Sequence, residues 1–293
     1  MPEIRDAATV VVLREQGSPF EILMLRRHHG HEFMANAWVF PGGRVEERDR
    51  THKFTEHLKG FDAVGSGGRL EDEVDAQTAL GLYCAGLRET FEEAGLLIAC
   101  EHREDSLSFE SPSRAKRFDT LRNAVDAGEL GLAELAEEEE LEFDAEGLVY
   151  FAHWITPDFE PKRYDTRFFA ALAPPSQQHS HDEAETTHSA WWTPEEAIER
   201  YRNEEILLAP PTLRILEELQ RFSGPDEALR GLRSRPTPPA IMPHPVEVDG
   251  DRIVLALPGD PEYPGGVDAP EDGVTRMERR DGQWFSVAKG GRS

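Results

Sequence analysis

Apolar positions in this chain recur first at a period of two and later at three and four, and the change of period marks out its elements. Residues 8–13 (ATVVVL) form a short β-rich run closed by the polar turn 14–19, and residues 20–27 (FEILMLRR) form a second, so a hairpin is predicted over 8–27. A third strand, Ala37 to Phe40, stops at Pro41-Gly42-Gly43, where paired glycines allow close approaches that a side chain would forbid. Residues 50–77 are polar and glycine-containing and read as an inserted loop with a turn of helix. From Gln77 to Ala94 the stripe Leu80, Cys84, Leu87, Phe91 predicts a helix; Gly95 suits its left-handed cap, and residues 96–100 resume as a strand.

Further on, residues 112–142 predict an amphipathic helix with Phe118, Leu121 and Val125 inward and the run Glu137 to Glu140 on a solvated face. Residues 149–157 and 166–174 read as aromatic-rich strands, and the polar connection 176–189 leads to Trp191-Trp192. Thr193-Pro194-Glu195-Glu196 opens a helix with Thr193 as N-cap and Pro194 in its first position, and a last helix is predicted over 211–222. The character changes near Gly224: residues 235–246 are proline-rich and 247–286 carry strand-and-turn signals. The expected organisation is therefore one domain over 1–223, followed over 224–293 by a proline-rich linker and a small β-rich tail. A dimerisation element (making the protein a homodimer), a lid and a cover over a sheet edge are all open readings for that tail.

Composition narrows the partners. Apolar residues make up 38% of the 293, enough for a packed core, and no run approaches the roughly 18–20 apolar residues of a membrane span. The net charge of −25 repels polyanions, so neither nucleic acid nor a membrane is an expected partner. A small phosphate compound is compatible, provided that counter-cations are supplied locally. Two cysteines, Cys84 and Cys100, make neither a disulfide framework nor a cysteine-rich zinc site and read as buried thiols of a cytoplasmic protein. The amino end lacks a signal-peptide pattern, and the terminal Gly-Arg-Ser is unlike a Ser-Lys-Leu peroxisomal address, which again makes the cytoplasm the expected compartment.

The chemistry concentrates in Arg88-Glu89-Thr90-Phe91-Glu92-Glu93-Ala94-Gly95-Leu96. On a helix Glu89, Glu92 and Glu93 share one face, where three acids repel one another unless a hard divalent cation gathers them. Arg88 precedes Glu92 by four residues and can orient a carboxylate, and the helix carboxyl end favours a bound cation. A charged outer face of an ordinary amphipathic helix is the bland alternative.

Phe40-Pro41-Gly42-Gly43 followed by this helix resembles the Nudix signature G-x5-E-x7-R-E-U-x-E-E-x-G-U, with U a bulky apolar residue. Arg88, Glu89, Glu92, Glu93, Gly95 and Leu96 match its second half, Gly43 its opening glycine, and Glu46 an acid often seen nearby. The signature's first glutamate is Asp49 here, a shorter acid that would alter a metal contact, and residues 50–87 stand where seven are expected. A Nudix branch that includes the peroxisomal coenzyme A diphosphatases carries such an insertion. Residues 37–49, 153–172 and 191–213 are similar to that branch, and the resemblance covers roughly 7–222.

The resemblance implies an α/β/α sandwich with a mixed sheet, to which the tail adds a β-rich appendage. It implies Mg²⁺ or Mn²⁺ held by Glu89, Glu92, Glu93 and the Gly43 carbonyl, with Arg88 orienting them and Gly42 and Gly43 shaping the loop beneath a diphosphate. The implied reaction is attack of an activated water on a phosphoanhydride of a nucleoside diphosphate derivative. Coenzyme A or its acyl esters are the first substrates implied; ADP-ribose or NADH, and an inactive nucleotide-binding module, are the alternatives. Glu185, with Glu183 as competitor, stands where many Nudix enzymes carry a further acid. Arg167 could meet substrate phosphates or simply pair with Asp165. Arg27 matches one position of an upstream coenzyme A motif whose other two positions hold Glu32 and Asn36. His28, His29 and His31 read as a surface turn.

Overall fold

The computed structural model describes residues 3–17, 19–28, 34–60, 70, 74–101, 105–177, 186–249, 252–265 and 268–288; His29, His31, Glu32, Glu183 and Glu185 lie outside them. In chain order the elements are β1 (Ile4–Arg14), β2 (Glu21–Arg27), β3 (Ala37–Val39), β4 (Gly42–Arg44), β5 (Leu58–Lys59), α1 (Ala76–Ala94), β6 (Ala99–Glu101), β7 (Asp105–Ser106), α2 (Pro112–Asp126) and α3 (Leu132–Glu139). There follow β8 (Leu141–Asp144), β9 (Val149–Ile155), β10 (Arg163–Leu172), β11 (Thr186–Trp192), α4 (Pro194–Arg202), β12 (Leu207–Leu208), α5 (Pro210–Leu219) and α6 (Pro225–Arg233). The last strands are β13 (Ala240–Ile241), β14 (His244–Asp249), β15 (Arg252–Ala256), β16 (Val274–Arg280) and β17 (Gln283–Ala288).

β1 is the spine of a mixed sheet, parallel to β10 from Ile4 to Leu13 and antiparallel to β2 at Leu13 and Arg14. Ala8, Val10 and Val12 face one core, Val11 and Leu13 the other, and all five are fully buried. Burial on both faces explains why the strand reads as a continuous apolar run rather than an alternating one. α1, α2 and α3, with the small sheet β5-β8-β6-β7, cover the first face; α4, α5 and α6 cover the second. The result is the α/β/α sandwich.

The Pro-Gly-Gly stop is instead a change of partner. β3 pairs with β2, β4 pairs with β1, and the Val10 N–H donates to the Pro41 carbonyl at 2.9 Å between them. One short run thus crosses from β2 to β1 and delivers Gly42 and Gly43 beside Thr9 and Ala8. α1 lies close over this point, because the absent Gly86 side chain lets it approach Val10: a Cβ there would sit 3.1 Å from Val10 Cγ2.

One other expectation needs correction. The helix predicted over 112–142 is broken at 127–131, where Gly128 turns at φ 70°, and residues 141–144 are the strand β8. Beyond 224 the β-rich segment also carries a helix: α6 packs on β9, and β13 adds a parallel strand to the edge of β9. The sheet β14-β15-β16-β17 then packs on the second face, burying Leu255, Leu257 and Met277 with Leu213 and Leu216 of α5. Gln283 Nε2 donates to the Tyr201 carbonyl at 2.7 Å, and Arg214 pairs with Asp272. Both cysteines are buried free thiols. Among the described residues no helix is long and apolar enough to cross a membrane.

Candidate active site

α1 begins at Asp75, whose carboxylate accepts from the Thr78 N–H at 2.9 Å, and ends at Gly95, φ 68°, whose N–H returns to the Phe91 carbonyl. Its last two turns therefore sit in register over β4. Arg88, Glu89, Glu92 and Glu93 are all buried there, and Asp49 is 1% exposed. Charges removed from water this far persist only with partners.

Arg88 provides most of them. Its Nε and Nη2 donate to Asp49 Oδ1 and Oδ2 at 2.8 and 3.0 Å, a fork on one carboxylate. Nη1 donates to Glu89 Oε1 at 2.9 Å and Glu92 Oε2 at 2.6 Å, while Nη2 also reaches the Arg44 carbonyl at 3.0 Å. Asp49 is held in turn by the Glu46 N–H at 2.8 Å. The acid at the signature's shortened position thus uses both oxygens on Arg88; it anchors the arginine rather than facing open space.

Burial pushes the Glu92 carboxyl up to about 7 against the pull of Arg88 and Arg48. For Arg88 burial acts downward, but Asp49, Glu89 and Glu92 together outweigh it and hold the guanidinium above the usual arginine range. Burial, with Asp49 beside it, raises the Cys84 thiol.

The two glycines are required by space. The Gly42 N–H donates to Glu93 Oε2 at 2.9 Å, and a Cβ on Gly42 would lie 2.5 Å from the Ala8 carbonyl oxygen. A Cβ on Gly43 would lie 2.5 Å from Glu89 Cδ, so the Glu89 carboxylate occupies the room a side chain would take. Gly43→Ala is expected to fold, because the obstacle is the end of a flexible side chain, but to push Glu89 aside and weaken Mn²⁺ uptake by about tenfold. Titration calorimetry measures it; unchanged uptake would show that the contact is incidental.

Nudix hydrolases work with divalent cations, and the donors here are carboxylate and carbonyl oxygens, the set that Mg²⁺ and Mn²⁺ prefer. Among the described residues no three acidic, histidine or cysteine side chains are already gathered around one point; the acids are held by Arg88, Arg48 and the Gly42 N–H. The donor chemistry and the Gly43 cradle fit a hard cation that would draw these oxygens together.

Arg167 lies two strands from Gly43, with Ala8 between them. It is 4% exposed, its Nη1 lies 2.7 Å from Asp165, and Asp165 also pairs with His153. In this structure Arg167 is paired with Asp165. Arg27 is half-buried at the end of β2, its backbone opposite Thr186. Sequence reasoning missed Arg122, whose Nε and Nη2 donate to the Glu92 carbonyl at 2.8 and 2.7 Å. A signal existed: it stands four residues after Phe118 and three before Val125, on the buried stripe of α2. Arg48 was also missed, and nothing in its local pattern marks it.

A three-layer sandwich whose glycine pair meets an Arg-Glu-x-x-Glu-Glu helix end defines a Nudix hydrolase. The chain belongs to the family described as the NUDT19 Nudix domain, whose model matches residues 4–221. It is similar to the acyl-coenzyme A diphosphatases NUDT19 of Xenopus laevis, at 26% identity over 94% of this chain and 80% of that protein, and of Gallus gallus, at 29% over 90% and 81%. The first of these spans necessarily runs past residue 222, so the likeness extends into the tail. A crystal structure of a Nudix hydrolase from Alicyclobacillus acidocaldarius superposes with a TM-score of 0.62 at 25% identity, covering 82% of this chain and all of that one.

Proposed function

We propose that this enzyme hydrolyses the phosphoanhydride bond of coenzyme A or an acyl-coenzyme A in the cytoplasm with Mg²⁺ or Mn²⁺. The observation that carries the reading is the buried acid cluster on Arg88, set against Gly42 and Gly43, in a chain similar over most of its length to acyl-coenzyme A diphosphatases. Glu89, Glu92, Glu93 and the Gly43 carbonyl would hold the cation, which when bound neutralises phosphate charge and acidifies a water. Arg88 keeps Glu89 and Glu92 oriented, and Asp49 keeps Arg88 oriented. Before a cation is bound, burial raises the Glu92 carboxyl to about 7 against the pull of Arg88 and Arg48. Gly42 and Gly43 shape the loop that would lie beneath the diphosphate, their missing side chains making room for the Ala8 backbone and the Glu89 carboxylate. Glu185, with Glu183 as competitor, is the proposed additional acid, and Arg27 the proposed substrate contact.

ADP-ribose and NADH are the competing substrates, since the upstream coenzyme A motif is largely missing, with Glu32 and Asn36 at two of its three positions. Purified protein with Mg²⁺ should release phosphopantetheine from coenzyme A, or its acyl form from an acyl ester, faster than it cleaves ADP-ribose or NADH. The opposite ranking would overturn the substrate assignment and leave the reaction class intact.

A further inference from the structure

Arg48 lies outside every match to the family signature, yet it makes three directed bonds at the site. Its Nη2 donates to Glu92 Oε1 at 3.1 Å, its Nε to Glu46 Oε2 at 2.8 Å, and its Nη1 to the Val125 carbonyl at 2.7 Å. The Val125 carbonyl belongs to the last turn of α2, where it also accepts from the Gly128 N–H at 2.9 Å. The other oxygen of Glu92 is taken by Arg88 from within α1 itself. Arg122 of α2 meanwhile donates to the Glu92 main-chain carbonyl. Glu92 is therefore gripped at both carboxylate oxygens and at its backbone, and two of these three grips involve α2.

We propose that Arg48 is a positioning residue that sets the plane of the Glu92 carboxylate and ties it to the carboxyl end of α2. A carboxylate bonded through one oxygen still turns about its terminal torsion, which for glutamate is broad. A second donor on the other oxygen, braced by Glu46 and Val125, removes that freedom. The geometry requires a fork: three acceptors in three directions are met by separate guanidinium nitrogens, whereas an ammonium is a point charge on a flexible stem. The inference rests on the proposed role of Glu92 in holding the cation.

Arg48→Lys and Arg48→Ala separate shape from charge. Mn²⁺ affinity is followed without substrate by electron paramagnetic resonance, kcat and KM with coenzyme A, and stability by urea unfolding. Supporting partners of metal ligands are worth about 10- to 100-fold, so Arg48→Ala should lose that much in kcat or Mn²⁺ affinity with KM little changed. Arg48→Lys should fail to restore it. Wild-type kcat and Mn²⁺ affinity in Arg48→Lys would reduce Arg48 to a charge and overturn the inference. So would a drop in urea midpoint with both quantities unchanged per folded molecule. If Arg48→Ala does not fold, Arg48→Lys alone decides on the same criterion. A wild-type protein that neither binds Mn²⁺ nor turns over overturns the active-site reading itself, and this inference with it. An active wild type with indifferent Arg48 variants overturns this inference only.

Discussion

Glu92→Gln is expected to reduce kcat by about 10²- to 10⁴-fold while the protein stays folded. The change keeps size and shape but removes the negative charge, and glutamine cannot offer two acceptor oxygens to Arg88 and Arg48. One of those guanidinium groups then meets an amide NH₂, donor against donor. The fold should tolerate this, because α1 is seated by Leu87, Phe91 and the Gly86 approach to Val10, none of which changes. Burial raises the Glu92 carboxyl to about 7 in the absence of a cation. Steady-state kinetics and calorimetric ligand binding on both proteins check the outcome. An unaltered kcat removes Glu92 from the mechanism. Retained ligand affinity with no turnover in either protein would make the chain a binding module with a Nudix fold.

Arg88→Met should be felt mainly in stability, by about 3–5 kcal/mol, the usual cost of leaving buried charges without their partner. Asp49 is 1% exposed, and each of its oxygens loses an Arg88 donor, which leaves only the Glu46 N–H on Oδ2. Glu89 and Glu92 each lose a bond as well, so activity falls together with stability. The companion Asp49→Leu, Arg88→Met double variant should recover part of the stability, since a buried pair replaced by apolar groups of similar volume is often tolerated. It should recover no activity, because Glu89 and Glu92 remain without their orienting donor. Urea unfolding of the three proteins measures this; an Arg88→Met variant as stable as wild type would mean that the acids are not held as described.

The route from residues to site was legible wherever the interactions are local. The stripe Leu80, Cys84, Leu87, Phe91, the left-handed Gly95 and the Thr193 cap are set by residues within about one turn, and all three are as the periodicity and end signals imply. The grouping of Glu89, Glu92 and Glu93 on one end of α1 follows from the same helical geometry.

Contacts between distant segments followed no such rule. Asp49 is a plausible ligand by motif, yet the crossing of residues 37–44 from β2 to β1 brings the following turn under α1, and there Arg88 claims it. Arg167 has the chemistry for phosphate, but β10 runs beside β1 in a register that buries it with Asp165. Likewise β13 joins β9 because a sheet edge with unpaired backbone groups was available to it, which a proline-rich stretch does not announce. By itself, then, the sequence determined α1, α4, α5, the strands β1, β2, β3, β9 and β10 and the face on which three acids stand, because repeat distances along one element decide these. Strand pairing across long separations was left to the tertiary structure, which decided the acids' partners, the burial that brings Glu92 to about 7, and the docking of the tail, because each depends on segments far apart in the chain.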